Sequence, residues 1–202
     1  MPRPVHVGRT HFTFVLQGVS YTHRSFAAAM AKFVRYGPPD RYGMPEAGFC
    51  ASTFAIIKSG RKVLLGIAKP HPRWAAEWQP NFSVYSREER EEEFRLWRFP
   101  ASYLYEGEGP DDTLKRIGRD MLGAKRWAVT GSKTYGFYDP SDWYPGKMHY
   151  DLCFVYDVKL AKVPAVPPWF QELGFVDSRK FRAKDFGSAQ GDLARELKLV
   201  MK

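Results

Sequence analysis

Between Glu106 and Asp120 the chain crowds five carboxylates, Glu106, Glu108, Asp111, Asp112 and Asp120, around Arg116. Such acids have two uses. Two or more that converge can hold a divalent cation, which polarises a phosphoryl oxygen and activates a water. Taken singly, each settles beside a positive charge. Asp120 follows Arg116 at the i, i+4 spacing of a helical ion pair, worth roughly 0.2–0.5 kcal/mol. Glu108 precedes a predicted helix start, where the dipole favours a negative charge. Asp139, Asp142, His149 and Asp151 form a looser second group that a neighbouring loop can bring up. A further acidic run, Glu88 to Glu93, reads as a solvated helix face.

Other reactive side chains are sparse. Cys50 and Cys153 lie in apolar, strand-like runs and read as buried free thiols. Neither has a Cys or His at metal-ligand spacing, so no zinc site is expected. The five histidines, His6, His11, His23, His71 and His149, show no ligand spacing either. The sequence holds no phosphate loop, dinucleotide fingerprint or nucleophile elbow.

The elements that must position these groups alternate between strand and helix, which predicts a mixed α/β class. Residues 11–21 read as extended, and Ser25 to Gly37 as a short helix capped by Ser25. Residues 38–47 form a Pro- and Gly-rich linker. Phe49–Ile57 and Lys62–Ala68 read as a hairpin around Lys58-Ser-Gly-Arg61. Residues 70–86 read as loop. Ser86 and Glu89 stand in capping-box register at the next helix start. A short strand around Ala101–Tyr105, a Gly107-Glu-Gly-Pro110 turn and a helix from Asp111 or Asp112 to Leu122 follow, closed by Gly123. Strands are expected at 127–138 and 149–158, a turn or short strand at 169–173, and a helix at 192–201. Residues 1–47 are thus expected to be an N-terminal extension with a strand and a short helix, and 48–202 the main domain.

With 202 residues, 44% apolar and 26% charged, the chain can bury a core unaided, which excludes a disordered chain and a disulfide scaffold. Its longest apolar runs fall well short of the ~18 residues of a membrane helix, so no membrane partner is expected. The first residues lack the apolar centre of a signal peptide, and a cytoplasmic location is the expectation. The net charge is +9, but it is spread along the chain and marks no basic arm. Spread basicity suits anionic partners and is equally compatible with mere solubility.

The run Ser102-Tyr-Leu-Tyr-Glu-Gly-Glu108-Gly-Pro-Asp-Asp-Thr-Leu-Lys-Arg116-Ile-Gly-Arg-Asp120-Met-Leu-Gly123-Ala124, set between a hairpin and further strands, resembles the signature box of the Nudix hydrolases. Glu108, Arg116 and Gly123 fall on matching positions without a gap. Ser102 stands where the box has glycine, Ile117 and Met121 where it has glutamates, Asp120 where it has another, and Gly118 and Ala124 at its aliphatic positions. The resemblance spans about residues 48–200 and implies a Nudix-like α/β/α sandwich with a mixed sheet. In that family, glutamates on one helix face bind divalent metal that bridges the diphosphate and helps generate the attacking water. Here that face reads Ile117, Asp120, Met121. Leu114, Ile117 and Met121 make an apolar stripe suited to packing.

The resemblance therefore points to a protein that binds a nucleoside-diphosphate-type or other anionic ligand with hydrolysis weak or lost. Two alternatives stand beside it. One is a Mg2+-dependent pyrophosphohydrolase using displaced carboxylates, with Glu108, Asp120 and Arg116 as catalytic residues and Glu108 and Asp120 as the metal ligands. The other is a structural module associated with RNA or a ribonucleoprotein. Family members hold a base between aromatic or aliphatic side chains and bind phosphates with cations. By that implication Arg61, Lys69, Arg73, Trp74, Trp78, Tyr103 and Tyr135 are the ligand-binding candidates, and the N-terminal extension offers a surface for a partner or a homodimer.

Overall fold

The computed structural model describes residues 11–16, 19–24, 48–141, 144–162, 164–188 and 190–201, the first two stretches as backbone alone. The segment expected to be extended at 11–21 is a pair of strands. β1 (His11–Leu16) runs antiparallel to β2 (Val19–Arg24), with Leu16 opposite Val19. The helix expected at 25–37 lies outside the described residues.

β3 (Phe49–Ser59) and β4 (Lys62–Ala68) are buried along most of their lengths, as strands covered on both faces must be. They bond to each other beside their turn, Lys58 to Val63 and Ser59 to Lys62, and then part company. β3 pairs antiparallel with β6 (Ala101–Tyr103) on one edge and parallel with β8 (Met148–Leu160) on the other. β8 in turn runs antiparallel to β7 (Trp127–Pro140). β4 takes β5 (Trp97–Arg98) and β9 (Phe170–Val176) as antiparallel neighbours. Together these make a mixed seven-stranded sheet.

Period-two alternation sends the apolar side chains of this sheet to two layers. Ala55, Ile57, Leu64 and Val158 pack with Leu114, Ile117 and Met121 on one side. Phe54, Ile56, Val63, Leu65 and Val155 pack with Leu193 and Ala194 on the other. The helices supplying those partners are α2 (Pro110–Arg116) and α3 (Gln190–Glu196), so the sheet lies between helices as a Nudix-like sandwich requires. α1 (Arg87–Glu93) starts with the expected capping box: the Glu89 amide donates to Ser86 Oγ at 3.1 Å, and the Ser86 amide to Glu89 Oε2 at 2.6 Å.

α2 begins with Pro110 at a position where its missing N–H costs nothing, and carries acids in its first turn and bases in its last. It continues as a π-helical turn, Ile117–Met121, in which the Leu122 amide reaches back to Ile117 O at 3.0 Å. Gly118 explains one departure from the box. A Cβ there would fall 0.7 Å from the Trp127 ring, so the indole occupies the volume an aliphatic side chain would take. Gly123, at φ +60°, then ends the helix.

Two loop assignments change. Residues 74–78 and 80–83 are helical turns, and their i, i+4 spacing points Trp74 and Trp78 into the same layer. Of the segment at 169–173, read as a turn or short strand, residues 170–173 belong to strand β9. Within the acidic run, Glu93 also turns inward to Arg98.

Candidate functional site

Arg116 is the centre of the box region and is 8% exposed. Its guanidinium carries five N–H donors, and each has a partner. Nε donates to Glu108 Oε1 at 2.7 Å and Nη2 to Glu108 Oε2 at 2.7 Å. Nη2 also donates to Tyr103 O at 2.8 Å. Nη1 donates to Ser102 Oγ at 2.9 Å and Glu77 O at 3.0 Å. The Tyr105 ring covers one face of the group at 3.8 Å, and the Tyr105 hydroxyl donates to Glu77 O. Glu108 is equally engaged, since its carboxylate also accepts from the Thr113 hydroxyl at 2.9 Å and the Tyr105 amide at 3.1 Å. Burial opposes its ionisation. The bonds from Arg116, Tyr105 and Thr113 outweigh that and hold its pKa below the usual glutamate value.

Asp120 pairs with its chain neighbour Arg119, at 2.6 and 2.8 Å, and not with Arg116. The π-helical turn that follows Arg116 shifts Asp120 off the spacing an α-helix would give. Arg119 first, and Arg73 and Arg116 at longer range, keep its pKa low despite partial burial. Arg73 is bound bidentately to Glu77, at 2.7 and 2.5 Å, and lies over the rings of Trp78 and Trp169, 4.8 and 4.4 Å from their centroids. Three arginines and three carboxylates thus close on one another. Glu108 and Asp120 in this arrangement do not fit a magnesium ion. Each oxygen is committed to a guanidinium, and the helix positions between and beyond them, Ile117 and Met121, are fully buried in the core.

The remaining ligand candidates scatter. Trp74 and Trp78 are core residues, 2% and 0% exposed, with Trp74 Nε1 bonded to Trp169 O at 2.8 Å. Arg61 lies exposed at the β3–β4 turn and Lys69 just past the far end of β4. Tyr103 contributes its carbonyl to Arg116, and Tyr135 packs against the α3-side layer.

Two groupings escaped the sequence. The parallel register sets Cys50 opposite Asp151, with His149 two residues earlier on the same face of β8. Cys50 Sγ donates to Asp151 Oδ1, and His149 Nε2 lies 3.1 Å from the same oxygen. Among the described residues this is the group of His, Cys, Asp or Glu whose ligand atoms lie close enough together, within 4.8 Å, to hold a metal. Chain spacing groups His149 with Asp151 but not with Cys50, because strand register is what brings Cys50 to them. The second grouping is a groove of about 490 Å3 past the end of α2, lined by Gly123, Lys125, Arg126, Ala161, Lys162 and Pro164 among others. Its three cations are exposed and, among the described residues, no acidic side chain lines it.

No family model and no curated protein matches the sequence. Among solved structures the chain is similar to the E. coli ORF135 protein, at 16% identity and a TM-score of 0.50 over 80% of this chain and 94% of that one. It is also similar to a Nudix hydrolase from Nitrosomonas europaea (14% identity, TM-score 0.46, 73% and 86% covered). The E. coli dihydroneopterin triphosphate pyrophosphohydrolase is a third such structure (12%, 0.46, 74% and 94%). The likeness is one of fold alone, a mixed α/β architecture. Among the described residues no helix is long and apolar enough to cross a membrane.

Proposed function

We propose that this chain uses its Nudix-like scaffold to bind a nucleoside-diphosphate-type or other anionic ligand, without pyrophosphohydrolase chemistry. One observation carries the reading. The carboxylates of the box region, Glu108 and Asp120, are each neutralised by an arginine, while Lys125, Arg126 and Lys162 line an open groove that among the described residues has no acidic lining. A volume of about 490 Å3 is within the range of small-molecule sites. Three cations along one groove suit a phosphorylated ligand better than a neutral one.

Calorimetric titration with a nucleoside diphosphate tests this. Binding is expected in the unmodified chain, weakened about tenfold or more (1.4 kcal/mol) by Lys125→Glu with Arg126→Glu. With Mg2+ or Mn2+ no phosphate or nucleoside monophosphate is expected to be released. Turnover that disappears in Glu108→Gln or Asp120→Asn would sink the proposal and support the hydrolase. RNA binding with a steep salt dependence, in the absence of nucleotide binding, would replace it with the ribonucleoprotein reading.

A further inference from the structure

We propose that Cys50, His149 and Asp151 form a binding site for a borderline-soft divalent transition metal, of which zinc is the type. The site lies at the start of β3 and β8, on the sheet face that carries the α3-side layer and opposite the face that receives α2.

The donor set decides the class of metal. One thiolate, one imidazole nitrogen and one carboxylate oxygen suit zinc or cobalt, whereas magnesium demands an octahedron of oxygens. Three protein ligands leave one tetrahedral position for water or a further ligand. The three side chains also sit on paired strands within a packed sheet. They are therefore held near one another before any ion arrives, which lowers the ordering cost of binding.

The geometry points the same way. Cys50 Sγ donates to Asp151 Oδ1, His149 Nε2 lies 3.1 Å from the same oxygen, and all three ligand atoms lie within 4.8 Å of one another. His149 and Asp151 are mostly covered, with side chains 16% and 17% exposed. In the metal-free protein the Cys50 thiol proton bridges to Asp151 Oδ1. A divalent cation would take the place of that proton. On binding, the S–H bond of Cys50 breaks, a metal–sulfur bond forms, and the proton leaves to solvent. The Tyr103 side chain hydrogen-bonds Cys50 and favours its thiolate, the role expected of a group that supports a ligand.

The test uses the full chain, stripped of metal by a chelator and titrated with Co2+. The expected result is one Co2+ per chain with a thiolate-to-cobalt charge-transfer band. Zn2+ should displace the cobalt, and a large excess of Mg2+ should not. Cys50→Ser should abolish the band and weaken Zn2+ binding by about 100-fold or more, and Cys153→Ser should leave the band in place. Should Cys50→Ser fail to fold, His149→Gln and protection of Cys50 from alkylation by Zn2+ give the same information. Absence of the band in the unmodified chain, its survival in Cys50→Ser, or lack of Zn2+ protection would show a hydrogen-bonded network only and overturn the proposal.

Discussion

Arg116 and Cys50 sit at two places where buried polar side chains meet, and the two places are balanced differently. Around Arg116 each donor has an acceptor and each carboxylate a guanidinium. Around Cys50 the neighbours are a carboxylate, an imidazole and a second thiol, and burial first, then the Asp151 carboxylate, raises both thiols. The first arrangement is complete as a protein and ties the loop at 103–108 to the end of α2. The second is complete only when a proton or a cation joins it. A motif match located the first. The second shows that a binding site on a sheet can be built from residues whose positions in the chain carry no pattern.

The largest expected effect breaks the complete arrangement. Arg116→Met removes the cation paired with partly buried Glu108 together with five hydrogen bonds, and should cost about 3–5 kcal/mol in urea unfolding. A loss under about 1 kcal/mol would place the pair with ordinary surface bridges and remove the contrast. Next, Zn2+ at about 100 times its Kd should stabilise the unmodified chain by about 2.7 kcal/mol and Cys50→Ser by about 0.4 kcal/mol or less, as read by thermal unfolding. Gly118→Ala comes third. The methyl must displace the Trp127 ring, and overpacking of this kind costs about 1–3 kcal/mol.

Acid should then separate the two regions. The folded-state pKa of Glu108 is lowered, so its contribution is fully present above the ordinary value of 4.5 and is lost as pH falls below it. The stability gap between the unmodified chain and Glu108→Gln should therefore narrow on acidification through that range. The smallest effect belongs to Asp120→Asn. Its partner Arg119 has a side chain 76% exposed, and a solvent-exposed pair of this kind is worth about 0.2–1 kcal/mol.

Much of the scaffold was legible because it rests on local rules. The Ser86–Glu89 capping box, the β3–β4 hairpin and the Leu114–Ile117–Met121 stripe follow from turn chemistry and periodicity, and the structure contains all three. Trp74 and Trp78 were misplaced in a loop because prolines at 70, 72 and 80 surround them. What decides their position is the layer of Leu64, Phe82 and Phe170 they join, which no local window displays. The expected pairing of Asp120 with Arg116 assumed 3.6 residues per turn, and the wider turn over Ile117–Met121 undid it. The Cys50 cluster needed the register of two strands whose pairing residues, Cys50 and Asp151, are 101 positions apart.

That separation also governs how the molecule is made. A ribosome adds about 5–20 residues per second, so β3 leaves it roughly 5–20 s before its parallel neighbour exists. Its β4 hairpin closes in microseconds, but the edge reserved for β8 carries an apolar strand with nothing to pair with, a state prone to join other chains. Slow translation between these strands lengthens that exposure. Yield of this protein in a cell should therefore be set as much by the rate of synthesis as by the stability of the finished fold.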